Sequence, residues 1–228
     1  AASWELLTPG GQTTLARASV FEGGFTLEAA ESVAAVGADR TTLDLLEELV
    51  DSSLLRVDPD GGRFRMLRVV QAFSAEQLAD EARASAERQH RAYFAGFGRD
   101  EVLQGLSGPG AVERWRALSS ESDNLVAALE RATACGEPDV AVATLRASWA
   151  VLALRGPWSQ ALTLADRVWG MTGLAGPARA TAARLTGRIH IEAGRMDHLQ
   201  SLESEVLNKL GYTTKGTCLL YTSDAADE

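Results

Sequence analysis

Residues 54–67, LLRVDPDGGRFRML, have the pattern of a β-hairpin. Two short runs of strand-forming residues flank the segment 58–62, which is made of Asp, Pro and Gly, the residues that tight turns favour. Side chains alternate along a strand, so Phe64 is expected on one face of the second strand and Arg63 and Arg65 on the other. The helices expected before this hairpin determine which fold it indicates.

Three short helices are expected before the hairpin, over residues 9–19, 27–35 and 42–52. Thr8 and Thr26 stand immediately ahead of the first two apolar patterns, where threonine caps a helix. Three helices followed by a hairpin is the element order of a winged helix. We therefore predict a mainly α fold in which a winged-helix domain with one small β-hairpin comes first.

Everything after the hairpin is predicted to be helical. A long helical stretch follows with a break near Ala84, and further helices begin at Pro138, Pro157 and Pro177. The three prolines are 19 and 20 residues apart, so two helices make a unit whose length lies between a tetratricopeptide repeat, roughly 34 residues, and a HEAT-type repeat, roughly 40 to 47 residues. We predict an array of TPR-like α-helical hairpins, with Trp158 in its core.

Four regions follow from these patterns. We assign residues 1–82 to a winged-helix-like domain, 83–136 to a helical connector and 137–210 to TPR-like repeats. Residues 211–228 are interpreted as a non-native tail, because the closing string CLLYTSDAADE resembles the translation of a sequencing adaptor. No function is sought in that tail.

Composition excludes several classes of protein. The formal net charge is −9, which disfavours a general binder of nucleic acid or of anionic membranes. The longest mainly apolar run is residues 147–154, which include Ser148 and are well short of the roughly 20 residues that a bilayer span needs. With two cysteines and no visible secretory signal, a cytoplasmic protein is expected.

Catalytic and metal-binding patterns are not found. The phosphate loop of P-loop ATPases needs a lysine followed by Ser or Thr, yet the two lysines, Lys209 and Lys215, are followed by Leu and Gly. His190 and His198 are not part of a His-Glu-x-x-His zinc motif, and they have no cysteine partner. We therefore expect no catalytic, cofactor-binding or metal-binding residues, and no enzymatic activity, in this chain.

The third helix is unfavourable for DNA binding. Residues 41–51 contain four carboxylates and no basic residue, whereas a recognition helix must approach phosphates and offer donors to base edges. Residues 1–80 as a whole carry six arginines against thirteen carboxylates. Direct DNA binding by the winged helix is therefore not expected.

An ordered set of motifs resembles a known family. The segments are 6–9 (LLTP), 18–30 (ASVFEGGFTLEAA), 49–55 (LVDSSLL), 63–67 (RFRML) and 122–129 (SDNLVAAL). Together they resemble the region after the ATPase module in STAND-type (NB-ARC-like) bacterial signal-transduction ATPases, which carry LuxR- or SARP-type transcriptional effectors. The match departs at residues 68–71, where RVVQ replaces the family's usual Glu-Thr-Ile-Arg, and no Met-His-Asp nucleotide-sensing motif is present.

The resemblance implies a regulatory, protein-interacting fragment of a transcriptional regulator. An upstream nucleotide-binding domain would hold ATP or ADP and pack on the winged helix. The helical repeats would then serve as a sensor or scaffold for an unknown protein or small-molecule signal. The alternative is a self-contained winged-helix DNA-binding repressor with a helical dimerisation or ligand domain.

Three arginines are the candidate contact with the upstream domain. Arg63, Arg65 and Arg68 make up half of the basic residues in the first 80 positions. One interpretation is a solvated hairpin face whose arginines pair locally with carboxylates, which contributes little at a surface. The other is a positive patch that docks on the nucleotide-binding domain and holds the regulator inactive.

Overall fold

A computed structural model of the chain describes residues 2–35, 40–59 and 62–195. The part that precedes the hairpin contains four helices and one very short strand. In chain order these are α1 (Ala2–Glu5), α2 (Pro9–Ala18), β1 (Phe25–Thr26), α3 (Leu27–Val33) and α4 (Thr42–Asp51). The hydroxyls of Thr8 and Thr26 accept hydrogen bonds from backbone amides in the first turns of α2 and α3, so both predicted caps are confirmed.

The predicted hairpin is confirmed, and it belongs to a three-stranded sheet. Strands β2 (Leu55–Val57) and β3 (Arg63–Met66) pair in antiparallel fashion, with Arg56 opposite Arg65. The two-residue strand β1 adds to the other edge of β3, giving the order β1-β3-β2. Phe64 is buried and Arg65 is exposed, as strand alternation predicts.

The helices that follow the hairpin are shorter than the sequence suggested. They are α5 (Arg68–Glu76), α6 (Asp80–Ala95), a 3-10 turn (Gly96–Gly98), α7 (Asp100–Gln104), α8 (Ala111–Ser120) and α9 (Ser122–Ala134). The break predicted near Ala84 was wrong, since the chain leaves helical geometry at Ala79, whose ψ is 147°. Ala84 lies inside α6.

Three longer helices complete the described chain: α10 (Pro138–Arg155), α11 (Trp158–Trp169) and α12 (Gly176–Glu192). Each predicted proline lies within one residue of a helix start, so the proline spacing located these helices correctly. Helix α12 packs against both α10 and α11. The further helix expected after residue 194, and the tail 211–228, lie outside the described residues.

Two apolar cores share helices α9 and α10. The first core joins the sheet and helices α2 to α4 with Phe94 of α6, Leu125 of α9 and Val151 of α10. The second is built by α9, α10, α11 and α12 around residues such as Leu145 and Ile189. Helix α10 contributes to both cores, which accounts for its apolar residues on nearly all sides.

Trp158 is not a core residue, contrary to the sequence prediction. Its side chain is 37% exposed at the first position of α11, where it meets Trp149 edge-on with 5.6 Å between ring centroids. The buried tryptophan of this helix is Trp169, at the other end. Within the described residues, no helix has the length and hydropathy needed to cross a membrane.

Candidate functional site

Helix α4 occupies the position at which a winged helix carries its recognition helix. Leu45, Leu46 and Leu49 are fully buried and fix the helix on the core. Asp44 and Thr41 form a reciprocal capping box, and the hydrogen bond from the Thr41 side chain lowers the pKa of Asp44. The opposite face is exposed and consists of Leu43, Asp44, Glu47 and Asp51.

One carboxylate of α4 has an internal role. Glu48 accepts hydrogen bonds from the Thr8 amide at 2.7 Å and the Thr8 hydroxyl at 2.9 Å, and it pairs with Arg40. Burial opposes the ionisation of Glu48, but these donors outweigh it and hold the pKa of the carboxyl below its ordinary value. Glu48 therefore ties the start of α2 to α4 and is not offered to a ligand.

The three candidate arginines do not form one surface. Arg63 is 14% exposed and reaches inward, where its guanidinium pairs with Glu121, the residue between α8 and α9, and donates to the Gly24 carbonyl at 3.0 Å. Arg65 is half exposed and pairs with Asp58 at 2.7 Å, which lowers the pKa of that carboxyl. Arg68 is exposed and makes no ion pair with any residue that the structure describes.

Arg65 and Arg68 do share a shallow pocket of about 290 Å³. Glu22 and Asp123 line the same pocket, so its four charged side chains balance. Of the predicted patch, then, Arg65 and Arg68 remain available for an external contact, while Arg63 holds the hairpin onto α9.

A buried amide joins the winged part of the chain to the helical part. The Asn124 side chain accepts from the Glu22 amide at 2.7 Å and donates to the Gly24 carbonyl at 2.8 Å and to Glu121 at 2.9 Å. Glu22 and Gly24 lie in the turn between α2 and β1 and are partly buried, so their backbone groups need partners there. We call this set of contacts, made by Asn124, Glu121 and Arg63 with residues 22–24, the polar clasp.

His90 and Arg131 extend the polar clasp. The Arg131 guanidinium donates to the Val20 carbonyl at 2.8 Å and lies 3.3 Å from the His90 ring. His90 is fully buried and its ring packs against Phe21 and Phe94, so it is part of the core. Burial, reinforced by the charge of Arg131, lowers the pKa of His90 to about 3, so the ring is neutral near pH 7.

The sequence profile of the family described as winged helix-turn-helix domain matches residues 7–79. This range begins just before α2 and ends after α5, so it contains helices α2 to α5 and the three strands of the sheet. Residues 7–79 form a winged helix-turn-helix domain. Helix α4 is the recognition-position helix of that domain, and the β2–β3 hairpin is its wing.

Relatives extend the similarity beyond the winged helix-turn-helix domain. Proteins of Mycobacterium tuberculosis and Mycobacterium bovis, provisionally named HTH-type transcriptional regulators, are 35% identical to the chain over 134 residues. The match covers 55% of this chain but 14% of each relative, so the chain spans about one seventh of the length of these proteins. No solved structure matches the chain.

Sequence reasoning located the domain but missed the polar clasp. Its two sides are 102 residues apart, between Glu22 and Asn124, and hydrophobic periodicity gives no sign of such a contact. A signal was present, because both sides fall in segments that carry the family resemblance, 18–30 and 122–129. Within the described residues, no group of three His, Cys, Asp or Glu side chains is placed to hold a metal ion.

Proposed function

We propose that this chain is the regulatory, protein-interacting part of a large transcriptional regulator. The winged helix-turn-helix domain and the similarity to proteins named as HTH-type regulators support the broad class. Within that class, we propose that the domain contacts another protein domain and does not read DNA.

The exposed face of α4 carries this proposal. Glu47 and Asp51 project from it together with Leu43, and residues 41–51 contain no basic side chain. A recognition helix in the major groove is surrounded by phosphates, so each uncompensated carboxylate on that face is repelled. An apolar residue among carboxylates is better suited to a protein surface with matching basic side chains.

We further propose that the neighbouring domain is the nucleotide-binding domain of a STAND-type ATPase, with ATP or ADP bound there. The ordered motifs support this, and so does the absence of a phosphate-loop lysine from this chain. Arg65 of the wing and Arg68 at the start of α5 are available for that contact, while the helical array of α10 to α12 serves as sensor or scaffold. The chain itself is not proposed to be an enzyme.

Titration with DNA tests the proposal. A labelled duplex added to the chain at about 50 mM salt should show no change in anisotropy, because phosphate contacts dominate affinity at low salt. Replacing Glu47→Lys and Asp51→Lys should create weak, salt-sensitive binding, whereas Glu101→Lys with Glu113→Lys, on α7 and α8, should not. Tight binding by the unmodified chain, with a steep loss of affinity as salt rises, would overturn the proposal.

A second candidate function is direct DNA binding as a repressor. It is favoured by the family match itself and by the names of the relatives, although those names describe whole proteins of which the matched region is 14%. In that case the unmodified chain binds the duplex, and the Lys substitutions change the preferred sequence rather than create binding. Calorimetry with Mg-ATP should be flat under either candidate, since both place nucleotide outside this chain.

A further inference from the structure

A basic recess lies between α10 and α12, on the side where α7 approaches them. It has a volume of about 340 Å³. Helix α10 contributes one arginine, α12 contributes two arginines and two smaller side chains, and α7 contributes one carboxylate. The lining residues are Asp100, Arg146, Thr181, Arg184, Leu185 and Arg188.

The α12 side of the basic recess is one continuous helix face. Thr181, Arg184, Leu185 and Arg188 are spaced by three, one and three residues, which places all four on the same side of the helix. Thr181 and Leu185 are half-buried and form the floor, while Arg184 and Arg188 are exposed at the rim. The recess therefore combines apolar contact and a hydroxyl below with two guanidinium groups above.

The arginines of the basic recess are only partly neutralised. Arg146 pairs with Asp100, and Arg188 pairs with Glu192 one turn along α12 at 2.6 Å. Arg184 forms no ion pair among the residues that the structure describes. The chain's own Asp100 and Glu192 already pair with two of these arginines, so the guanidinium groups are positioned to bind carboxylates.

The region around the basic recess is also positive. Residues 138–195, which supply α10 and α12, contain seven arginines and three carboxylates, and α7 adds Asp100 and Glu101, so arginines remain in excess here although the whole chain has a net charge of −9. The local field therefore attracts an anion within a Debye length of about 8 Å, while the acidic remainder repels a long polyanion. A short acidic segment satisfies both conditions better than nucleic acid does.

We propose that the basic recess binds a carboxylate-rich segment of a partner protein. Arg184 makes the first contact, because its guanidinium has no carboxylate partner among the described residues and can form a bidentate bond. Arg146 and Arg188 then exchange their internal carboxylates for those of the partner, and exposed pairs of this kind are exchanged at little energetic cost. The inference rests on the proposed function, since it names the class of partner that the array would take.

Peptide binding by the full chain tests this. A labelled hexaglutamate peptide should bind at about 50 mM salt, and the corresponding hexaglutamine peptide should not. Arg184→Gln should weaken hexaglutamate binding about tenfold, the worth of one charge-assisted hydrogen bond. Arg155→Gln removes the same charge from the exposed end of α10, outside the recess, and should change affinity by less than about twofold.

Three results would overturn the inference. Equal losses in Arg184→Gln and Arg155→Gln would show general attraction to a positive region and no specific site. Tighter binding of a DNA duplex than of hexaglutamate would assign the recess to nucleic acid, and an absence of hexaglutamate binding would remove it altogether. All variants must keep the circular dichroism spectrum and melting temperature of the parent chain. Because Arg184 is remote from α4, these outcomes are independent of the DNA test made with Glu47 and Asp51.

Discussion

Residues 1–80 carry thirteen carboxylates and six arginines, whereas residues 138–195 carry three carboxylates and seven arginines. The two regions also differ in how they are held. Around the winged helix-turn-helix domain, polar groups such as Asn124 and Arg63 are buried and paired. In the helical array, the core is built of aliphatic and aromatic side chains, and the buried polar side chains Thr144, Ser148, Thr186 and His190 bond to groups of the array itself. The difference shows that a single fold can present two oppositely charged surfaces while its junction depends on directional hydrogen bonds.

The largest expected effect comes from breaking the core that the two regions share. Phe94 is fully buried and contacts Phe21 in the winged part as well as Phe97 beyond α6. Phe94→Ala should lower the free energy of unfolding by about 4 kcal/mol, the range found for buried Phe to Ala changes. Urea denaturation followed by circular dichroism measures it.

Trp158→Ala provides the contrast, because Trp158 is partly exposed. Trp158→Ala should lower the free energy of unfolding by less than half as much as Phe94→Ala, or by less than about 2 kcal/mol. If the two substitutions were equally costly, the assignment of Trp158 to the edge of the array would be wrong.

Removing the amide of the polar clasp should have the next largest effect. Asn124→Ala leaves the part-buried Glu22 amide without its partner and the Gly24 carbonyl with Arg63 alone, so a loss of about 3 kcal/mol is expected. The exposed neighbour Asp123→Ala, which makes none of these bonds, should cost less than about 1 kcal/mol. Similar melting temperatures for the two variants would mean that the clasp does not stabilise the junction.

Substitutions of the two wing arginines, Arg63 and Arg65, should differ in their effect on the stability of the protein. Arg63→Gln breaks a mostly buried pair with Glu121 and should cost about 2 kcal/mol. Arg65→Gln removes a half-exposed pair and should leave the melting temperature almost unchanged. Equal effects would restore the interpretation in which all three arginines form one solvated patch.

The last effect expected is a pH dependence that arises at the junction, worth less than about 2 kcal/mol over the range from about pH 6.5 to pH 5. The pKa of His90 is about 3 in the folded chain and about 6.5 when unfolded, because burial, the charges of Arg131 and Arg91, and the opposing hydrogen bond with Asn124 act only in the fold. The unfolded chain therefore takes up this proton first as the pH falls. His90 should lower stability by up to about 1.4 kcal/mol per pH unit between about pH 6.5 and pH 3.

Comparison with His90→Gln isolates this contribution, because the carboxylates titrate in both proteins. Unfolding free energies measured from about pH 6.5 to pH 5 should fall less steeply in the variant. Parallel curves would show that His90 does not stay neutral in the fold.

The winged helix-turn-helix domain could be predicted because its caps and turn depend on neighbouring residues. Features that depend on contacts between distant residues could not be predicted. The caps Thr8 and Thr26 and the turn at residues 58–62 act within a few residues, so each can be recognised in the sequence. Strand β1 has two residues, too few to show an alternation. The pairing of Arg63 with Glu121 spans 58 positions, so strand alternation grouped Arg63 with Arg65 although the fold separates them.

The close approach of two backbone segments also cannot be predicted from sequence patterns. At Gly98, in the 3-10 turn after α6, an added Cβ would overlap the backbone carbonyl of Ala143 in α10. A backbone atom cannot move aside as a flexible side chain can, so even alanine at this position forces α6 and α10 apart.

Gly98 thus provides a criterion for recognising this architecture in other genomes. A homologue that joins a winged helix-turn-helix domain to a helical array by the same route must keep glycine here, while its surface charges are free to drift. A different residue at the aligned position would indicate that the array is attached at another angle. One column of a future alignment can therefore sort relatives by the geometry of their junction, independently of what either end binds.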